Sequence, residues 1–355
     1  MPDHCIESNN GSPVPAGMPR GSEGKYMGLS QLKLGVVGSF LFGAAIMLQP
    51  TGTAMAQEQK LTTLKFGFLK IAGYANIYAA QKEAMFRRKG LEVTSVFFRS
   101  GSDAVSAAQG GSIDIFSSFP AAVMSADERG FDFGAIFQNE ITYEKGPDTG
   151  AILVLKDSGI KSVKDLVGKR VAVSARSSQA TVAVDEVLRQ HGIDPKQVIY
   201  LEAGYPNFFD MLRTRQVDAV TSTEPFTTQI IQSGIADVIG WHYAEAFPGG
   251  PLSAVFAKRA FIEQNRATID RFNAAMKESI DYMMADVPRG KKLVVEFTGL
   301  DPAIVEKMVY SRYNYDVIPE KWQQLIQIMT NSQVLEKPHR PDEFFSDPIK
   351  PYIRK

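Results

Sequence analysis

"GSIDIFSSFPAA" at residues 111–122 and "RQVDAVTSTEPF" at residues 215–226 are two versions of one phrase. Each passes through an Ile/Val-Asp pair, a few strand-forming residues and a run of hydroxyls before reaching a proline. The pattern describes a strand whose carboxyl end turns directly into a helix. β-Branched and aromatic residues favour the strand, and proline suits the first helical turn, where its missing N–H costs nothing. Ser and Thr at the turn can cap the helix, leaving other first-turn N–H groups and the positive end of the helix dipole as an anion site. The repetition implies two α/β units that present equivalent corners. The second copy differs by one inserted acid, Glu224.

The flanking sequence supports this. From Gln57 onward, strand signals (residues 64–70, 92–98, 113–119 and 134–139) alternate with helical ones (77–89, 102–111 and 120–130). The rhythm restarts near Lys161 and runs to Gly234. Strands alternating with helices of ten to fifteen residues argue for βαβ units and parallel sheets. A strand from Ser253 then leads into helical segments at 266–285, 302–313 and 319–331, and the proline-rich tail after Lys337 is expected over the surface. The expected architecture is α/β and two-lobed, with lobe 1 formed by 57–155 plus 250–355 and lobe 2 by 156–249. The crossings are expected near 152–155 and 254–257. Ligands of open α/β sheets sit beyond the carboxyl ends of the strands, so two facing sheets share one cleft.

Four strand-to-helix corners supply hydroxyls to that cleft: Ser100 with Ser102, Ser117 with Ser118, Ser177 with Ser178, and the Ser222-Thr223 pair. A single such site is more often a helix cap than a ligand contact, but four converging corners point to a ligand. Glu224 is either a helix-start carboxylate beside the dipole or an acceptor for a ligand amine. Arg176 is either a steering charge for an anion or a solvated loop residue. Tyr74, Tyr205, Phe208, Trp241 and Tyr243 are candidates for an aromatic wall, with Trp241 equally suited to the core. Glu140 and Asn207 are weaker loop candidates.

The N-terminal region reads as an export signal. Arg20, Lys25 and Lys33 precede an apolar run at 34–48, and Ala54-Met55-Ala56 fits a small-x-small cleavage site. The run is too short to span a bilayer, which takes about 20 residues, so cleavage after Ala56 is expected rather than anchoring. Met27 is a plausible alternative start. The one cysteine, Cys5, falls before the cleavage site, which excludes a disulfide, a thiol nucleophile and a lipid-tethered cysteine from the mature chain. The 39 basic and 39 acidic residues balance, and nothing in the charge suggests nucleic acid or an anionic membrane.

Catalytic patterns are missing. There is no G-x-S-x-G, no G-x-G-x-x-G and no Walker A. The four histidines are scattered, which argues against a zinc site, and no cofactor is expected.

The ordered set "GFLKIAGYANIYAAQKEAMFRRKGLEV", "GSDAVSAAQGGSIDI", "SVKDLVGKRVAV", "VDAVTSTEPF" and "FTGLDPAIVEKM" resembles the solute-binding proteins of nitrate, sulfonate and taurine ABC importers. Their wider family includes pyrimidine-precursor binders. The resemblance implies a type II periplasmic binding fold that closes on one small ligand. It also implies a monomer that delivers to a membrane permease driven by an ATPase. It assigns ligand contacts to the region after the first strand, Tyr74 and Asn76 here, and to the hydroxyl-bearing helix starts. In taurine-type members the position matching Glu224-Pro225 can meet the ligand amine. A sulfonate or taurine-type solute is the leading expectation, with a pyrimidine or aromatic binder or a family-fold enzyme as the alternative.

Overall fold

The computed structural model describes residues 60–354. The export signal, its cleavage site, Met27 and Cys5 lie outside the described residues.

The first sheet contains β1 (Thr62–Leu69), β2 (Leu91–Phe98), β3 (Ile115–Ser118) and β4 (Phe133–Ile141). The second contains β5 (Gly150–Leu155), β6 (Arg170–Val173), β7 (Ile199–Glu202), β8 (Ala219–Thr223) and β9 (Ala236–Gly240). A last strand, β10 (Pro251–Lys258), returns to the first sheet. The strand orders are β2-β1-β3-β10-β4 and β7-β6-β8-β5-β9. In each sheet four strands run in one direction, and one strand delivered from the other lobe runs antiparallel between the third and the fourth of them. The two repeated phrases therefore occupy equivalent strands, β3 and β8.

The sheets are thus mixed rather than purely parallel. The stretches expected as crossings, 152–155 and 254–257, are ladder strands inside the sheets. β5, placed by the sequence reading in lobe 1, pairs with β8 and β9 of the second sheet. The actual crossings are residues 142–149 and 241–250.

Helices cover the faces. In lobe 1, α1 (Ala75–Lys82), α2 (Met85–Arg88), α3 (Gly101–Gln109) and α4 (Pro120–Asp127) follow the parallel strands. The helix expected over 77–89 is broken at Ala84, which adopts a left-handed conformation with φ 54° that cannot continue a helix. Lobe 2 carries α5 (Gln179–Gln190), α6 (Phe208–Arg213), α7 (Phe226–Gln232) and α8 (His242–Ala246). α9 (Arg259–Gln264), α10 (Arg266–Ala285), α11 (Val287–Thr298), α12 (Pro302–Lys307), α13 (Pro319–Asn331) and α14 (Pro341–Phe344) complete the chain. α11 was not anticipated. Its start is capped by Asp286, which accepts from the Arg289 N–H at 3.0 Å, and it ends at Gly299 with φ 77°. The helix expected over 302–313 stops at Lys307 instead.

The core of lobe 1 is aromatic. Phe66 packs edge-on to Phe272 at 5.2 Å, and Phe86 stacks on Phe272 at 5.3 Å. The proline-rich tail is built into this core rather than laid over it. Phe344, Phe345 and Ile349 are buried, and Asn273 donates to the carbonyls of Ile136 and Pro348 at 2.7 and 3.3 Å. Trp322 meets Phe345 edge-on at 5.1 Å, and its indole N–H donates to Gln138 at 2.8 Å. Replacing Trp322 by Ala empties this buried junction and is expected to cost about 3–5 kcal/mol, read as a lowered urea midpoint.

Candidate functional site

Two of the four expected corners, those of Ser100 with Ser102 and of Ser178, meet at one cavity, while Ser117, Ser118, Ser177, Ser222 and Thr223 are not among its lining residues. Between the carboxyl ends of the two sheets lies a cavity of ≈ 20 Å³, room for about one water molecule, so the lobes are closed on each other. Lobe 1 lines it with Ser100, Gly101, Ser102 and Phe119, and lobe 2 with Ser174, Ser178, Gln179 and Tyr205. Ser100 caps α3, accepting from the Asp103 N–H at 3.2 Å. Ser178 caps α5, accepting from the Thr181 N–H at 3.2 Å. Two helix starts thus face one cavity from opposite lobes.

The repeated phrases are arranged differently from the expected caps. Ser117 and Ser118 are the last residues of β3, and Phe119 occupies the cap position of α4 without a side-chain hydrogen bond. Ser117 instead donates to the Ala254 carbonyl at 3.2 Å. The buried Ser118 hydroxyl has no partner among the described residues. It presses against Gly101, where a Cβ would come within 2.6 Å of it and force the hydroxyl to move.

Glu224 is tied into the chain. Its carboxylate accepts from the Thr228 N–H at 3.1 Å, the Thr228 hydroxyl at 2.8 Å and the Val309 N–H at 3.1 Å. This joins the start of α7 to the segment after α12, and burial pushes its carboxyl up to about 7. Asn76 donates to Asn139 at 2.7 Å in a buried amide pair. Trp241 covers the crossing, its ring against Gly146. Asn207 is exposed. Arg176 and Ser177 face an outer groove of ≈ 700 Å³, where the Arg176 guanidinium lies 4.9 Å above the Tyr200 ring.

Phe119, Ser174 and Gln179 line the cavity without being singled out by the sequence, whereas Tyr74 and Tyr243 are expected from it as aromatic candidates. Gln179, the first residue of α5, bridges the lobes: its amide donates to the Pro251 carbonyl at 2.8 Å, and its oxygen accepts from the Ala121 N–H at 3.3 Å. Tyr243 packs parallel to Phe119 at 6.4 Å and against His242 at 4.2 Å. The Tyr74 and Tyr243 hydroxyls and both His242 ring nitrogens are buried without partners among the described residues. Burial raises the phenols of Tyr74, Tyr205 and Tyr243 and lowers His242 to about 3. All four are therefore neutral at physiological pH and act as hydrogen-bonding groups.

Two buried acids sit at the end of β4 and in the following crossing. Burial raises Glu140 to about 8, with the Asp148 charge adding to the effect. Asp148 is raised by burial to about 6, opposed by the N–H groups of Thr149 and Tyr143. The hydroxyls with helix starts can hold an oxyanion, the tyrosines can form neutral hydrogen bonds, and the acids can accept from a cation.

Two equal mixed sheets with this strand order and a shared cleft constitute the two-lobed, type II periplasmic binding protein fold. Solved structures agree. The alkanesulfonate-binding protein SsuA from Xanthomonas axonopodis pv. citri bound to MOPS is similar, with TM-score 0.68 and 19% identity over 83% of this chain and 99% of that one. The aliphatic sulphonate binding protein SsuA from Escherichia coli has TM-score 0.66 and 20% identity over 80% and 97%. The nitrate-binding protein NrtA from Synechocystis PCC 6803 has TM-score 0.68 and 12% identity over 83% and 86%. No curated protein matches the chain. The family profile described as NMT1/THI5 like matches residues 72–288, and the chain belongs to that family.

Two predictions follow from the site's geometry and charge. Glu140 holds its proton more tightly in the folded chain than in the unfolded one, where glutamate titrates near about 4.3. The folded state then carries the extra proton between about pH 4 and 8, so this group's contribution to stability falls as pH rises through that window. Glu140→Gln removes the effect, and the variant should lose less stability than the unaltered protein between about pH 5 and 8, by at least about 1 kcal/mol. Urea melts across pH check this, and parallel stability curves would contradict it. Gln179→Ala should release the lobe contact and speed hydrogen exchange at the Ala121 amide by about fivefold, corresponding to loss of a roughly 1 kcal/mol hydrogen bond.

Proposed function

We propose that the chain is the solute-binding component of an ABC importer, exported to the periplasm and acting as a monomer. It binds a small anionic or zwitterionic solute, of sulfonate or taurine type, and delivers it to a membrane permease and its ATPase. The observation that carries this reading is the enclosed cavity, where Ser100, Ser102, Ser174 and Ser178 meet the starts of α3 and α5 from opposite lobes. An oxyanion there would receive hydroxyl and main-chain N–H donors without an arginine or lysine among the lining residues. Hydrogen bonds to a charged group are worth about 1.5–3 kcal/mol each, so a few such donors set specificity. Tyr205 lines the cavity itself, and Ser117, Ser118 and Tyr74 form the adjoining layer of the proposed site.

The aromatic pairs favour a second reading. Tyr205 stacks on Phe226 at 6.1 Å within lobe 2, and Phe119 of lobe 1 stacks on Tyr243 at 6.4 Å; opening of the lobes would part the second pair and let a flat heterocycle or aromatic acid stack between its rings.

Thermal-shift titration of the purified protein against sulfonates, taurine, nitrate, pyrimidines and aromatic acids separates these readings. A true ligand raises the melting midpoint with concentration. Ser118→Ala should weaken binding of that ligand about tenfold, as expected for one lost hydrogen bond to a charged group, while leaving the ligand-free midpoint nearly unchanged, because Ser118 has no partner to lose. Chemical turnover of the ligand, detected by mass spectrometry, would overturn the transport reading.

A further inference from the structure

We propose that Glu140 is the specificity-determining residue of the cleft, accepting a hydrogen bond from a cationic nitrogen of the solute, so that the protein selects amine-bearing zwitterions over simple anions. The inference rests on the cleft being the solute site.

The placement carries the argument. Glu140 stands at the carboxyl end of β4, directly opposite Ser253 on β10. The next residue of β10, Ala254, is opposite Ser118 on β3. Glu140 therefore belongs to the same row of strand ends as the β3 hydroxyls, in the position where ligands of such sheets are held. The backbone has been cleared for its carboxylate: a Cβ on Gly73 would come within 2.5 Å of Oε2. Tyr74 and Tyr243 lie near it, and their buried hydroxyls have no partner in hydrogen-bond geometry among the described residues.

What Glu140 lacks is a cation. Among the described residues only hydroxyls approach its carboxylate, Ser253 at a long 3.5 Å and Ser311 close by. The titratable groups facing it are Asp148 and the phenols of Tyr74, Tyr143, Tyr243 and Tyr313. The nearby Arg312 is directed to the Thr142 carbonyl and to Glu144 instead. A buried carboxylate is costly to ionise without a partner, and an ammonium supplies both the charge and three donors. One donor would go to Glu140 and the others to neighbouring hydroxyl oxygens, while the acid end of the same solute meets the starts of α3 and α5. This also moves the amine-binding role from Glu224, whose oxygens are taken up by Thr228 and Val309, to an acid on the other lobe.

The test is calorimetric titration of the full chain with matched pairs that differ only in the amine: taurine against ethanesulfonate, and 4-aminobutyrate against butyrate. The amine-bearing member of a pair should bind at least about tenfold more tightly. Its binding should release about one proton near pH 7, detected by repeating the titration in buffers of different ionisation enthalpy, because Glu140 must ionise to pair with the ammonium. Glu140→Gln should abolish both the preference and the proton release while keeping affinity for the amine-free member. The proton count is measured on the unaltered protein, so the result does not depend on the variant folding. Equal affinity within the pairs, or an amine preference that survives Glu140→Gln, overturns the proposal and leaves the importer reading in place. Failure of every member to bind overturns the anionic-solute reading and this inference together.

Discussion

The structure depends on a constraint of strand order: each sheet is completed by an antiparallel strand that arrives from the other lobe. β10 lies between β3 and β4, and β5 between β8 and β9. The chain must therefore cross between lobes twice, and both crossings leave from strand ends that border the cleft. Ser118 is paired with Ala254 and Thr223 with Gly150, so the repeated corners sit beside the crossings. Asp148 and Tyr243 lie in or next to those connections, Glu140 at the last turn before one of them. The crossings and the proposed site are therefore built from neighbouring residues.

The cleft is polar but nearly uncharged. Its tyrosines and His242 are neutral because burial opposes their ionised forms, and the acids near it are raised for the same reason. Such groups stabilise the fold less than a hydrocarbon filling of similar volume would, since buried polar atoms without partners carry a desolvation cost. The arrangement is intelligible as binding machinery, in which the missing hydrogen bonds are completed by a solute.

What the sequence made legible was local. The equivalence of the two phrases could be read directly, because strand, turn and helix chemistry follow one another within a dozen residues. The caps at Ser100 and Ser178 were legible for the same reason. α11 carried comparable signals in Asp286, Pro288 and Gly299 that were passed over. The rest was not local. Nothing near residues 150–155 distinguishes a crossing from a strand, since the partners of β5 come from 219–223 and 236–240. Glu140 reads as a weak candidate on a loop, whereas it lies on β4 with Gly73 and Ser253 folded against it. The choice between capping and ligand binding at Glu224 turned on Val309, a residue 85 positions away. Phe119 displaced the serines from the helix cap, since it is the residue immediately before Pro120 that occupies that position.

Gln179 touches only main-chain atoms of the opposite lobe: the amide of Ala121 and the carbonyls of Pro251 and Leu252. Main-chain partners persist through substitution of the side chains around them. Closure held in this way depends on Gln179 but not on which other residues line the cavity, so the rest of the lining can differ without changing these contacts. In a family whose members share this backbone, recognition and motion can then evolve as separate traits.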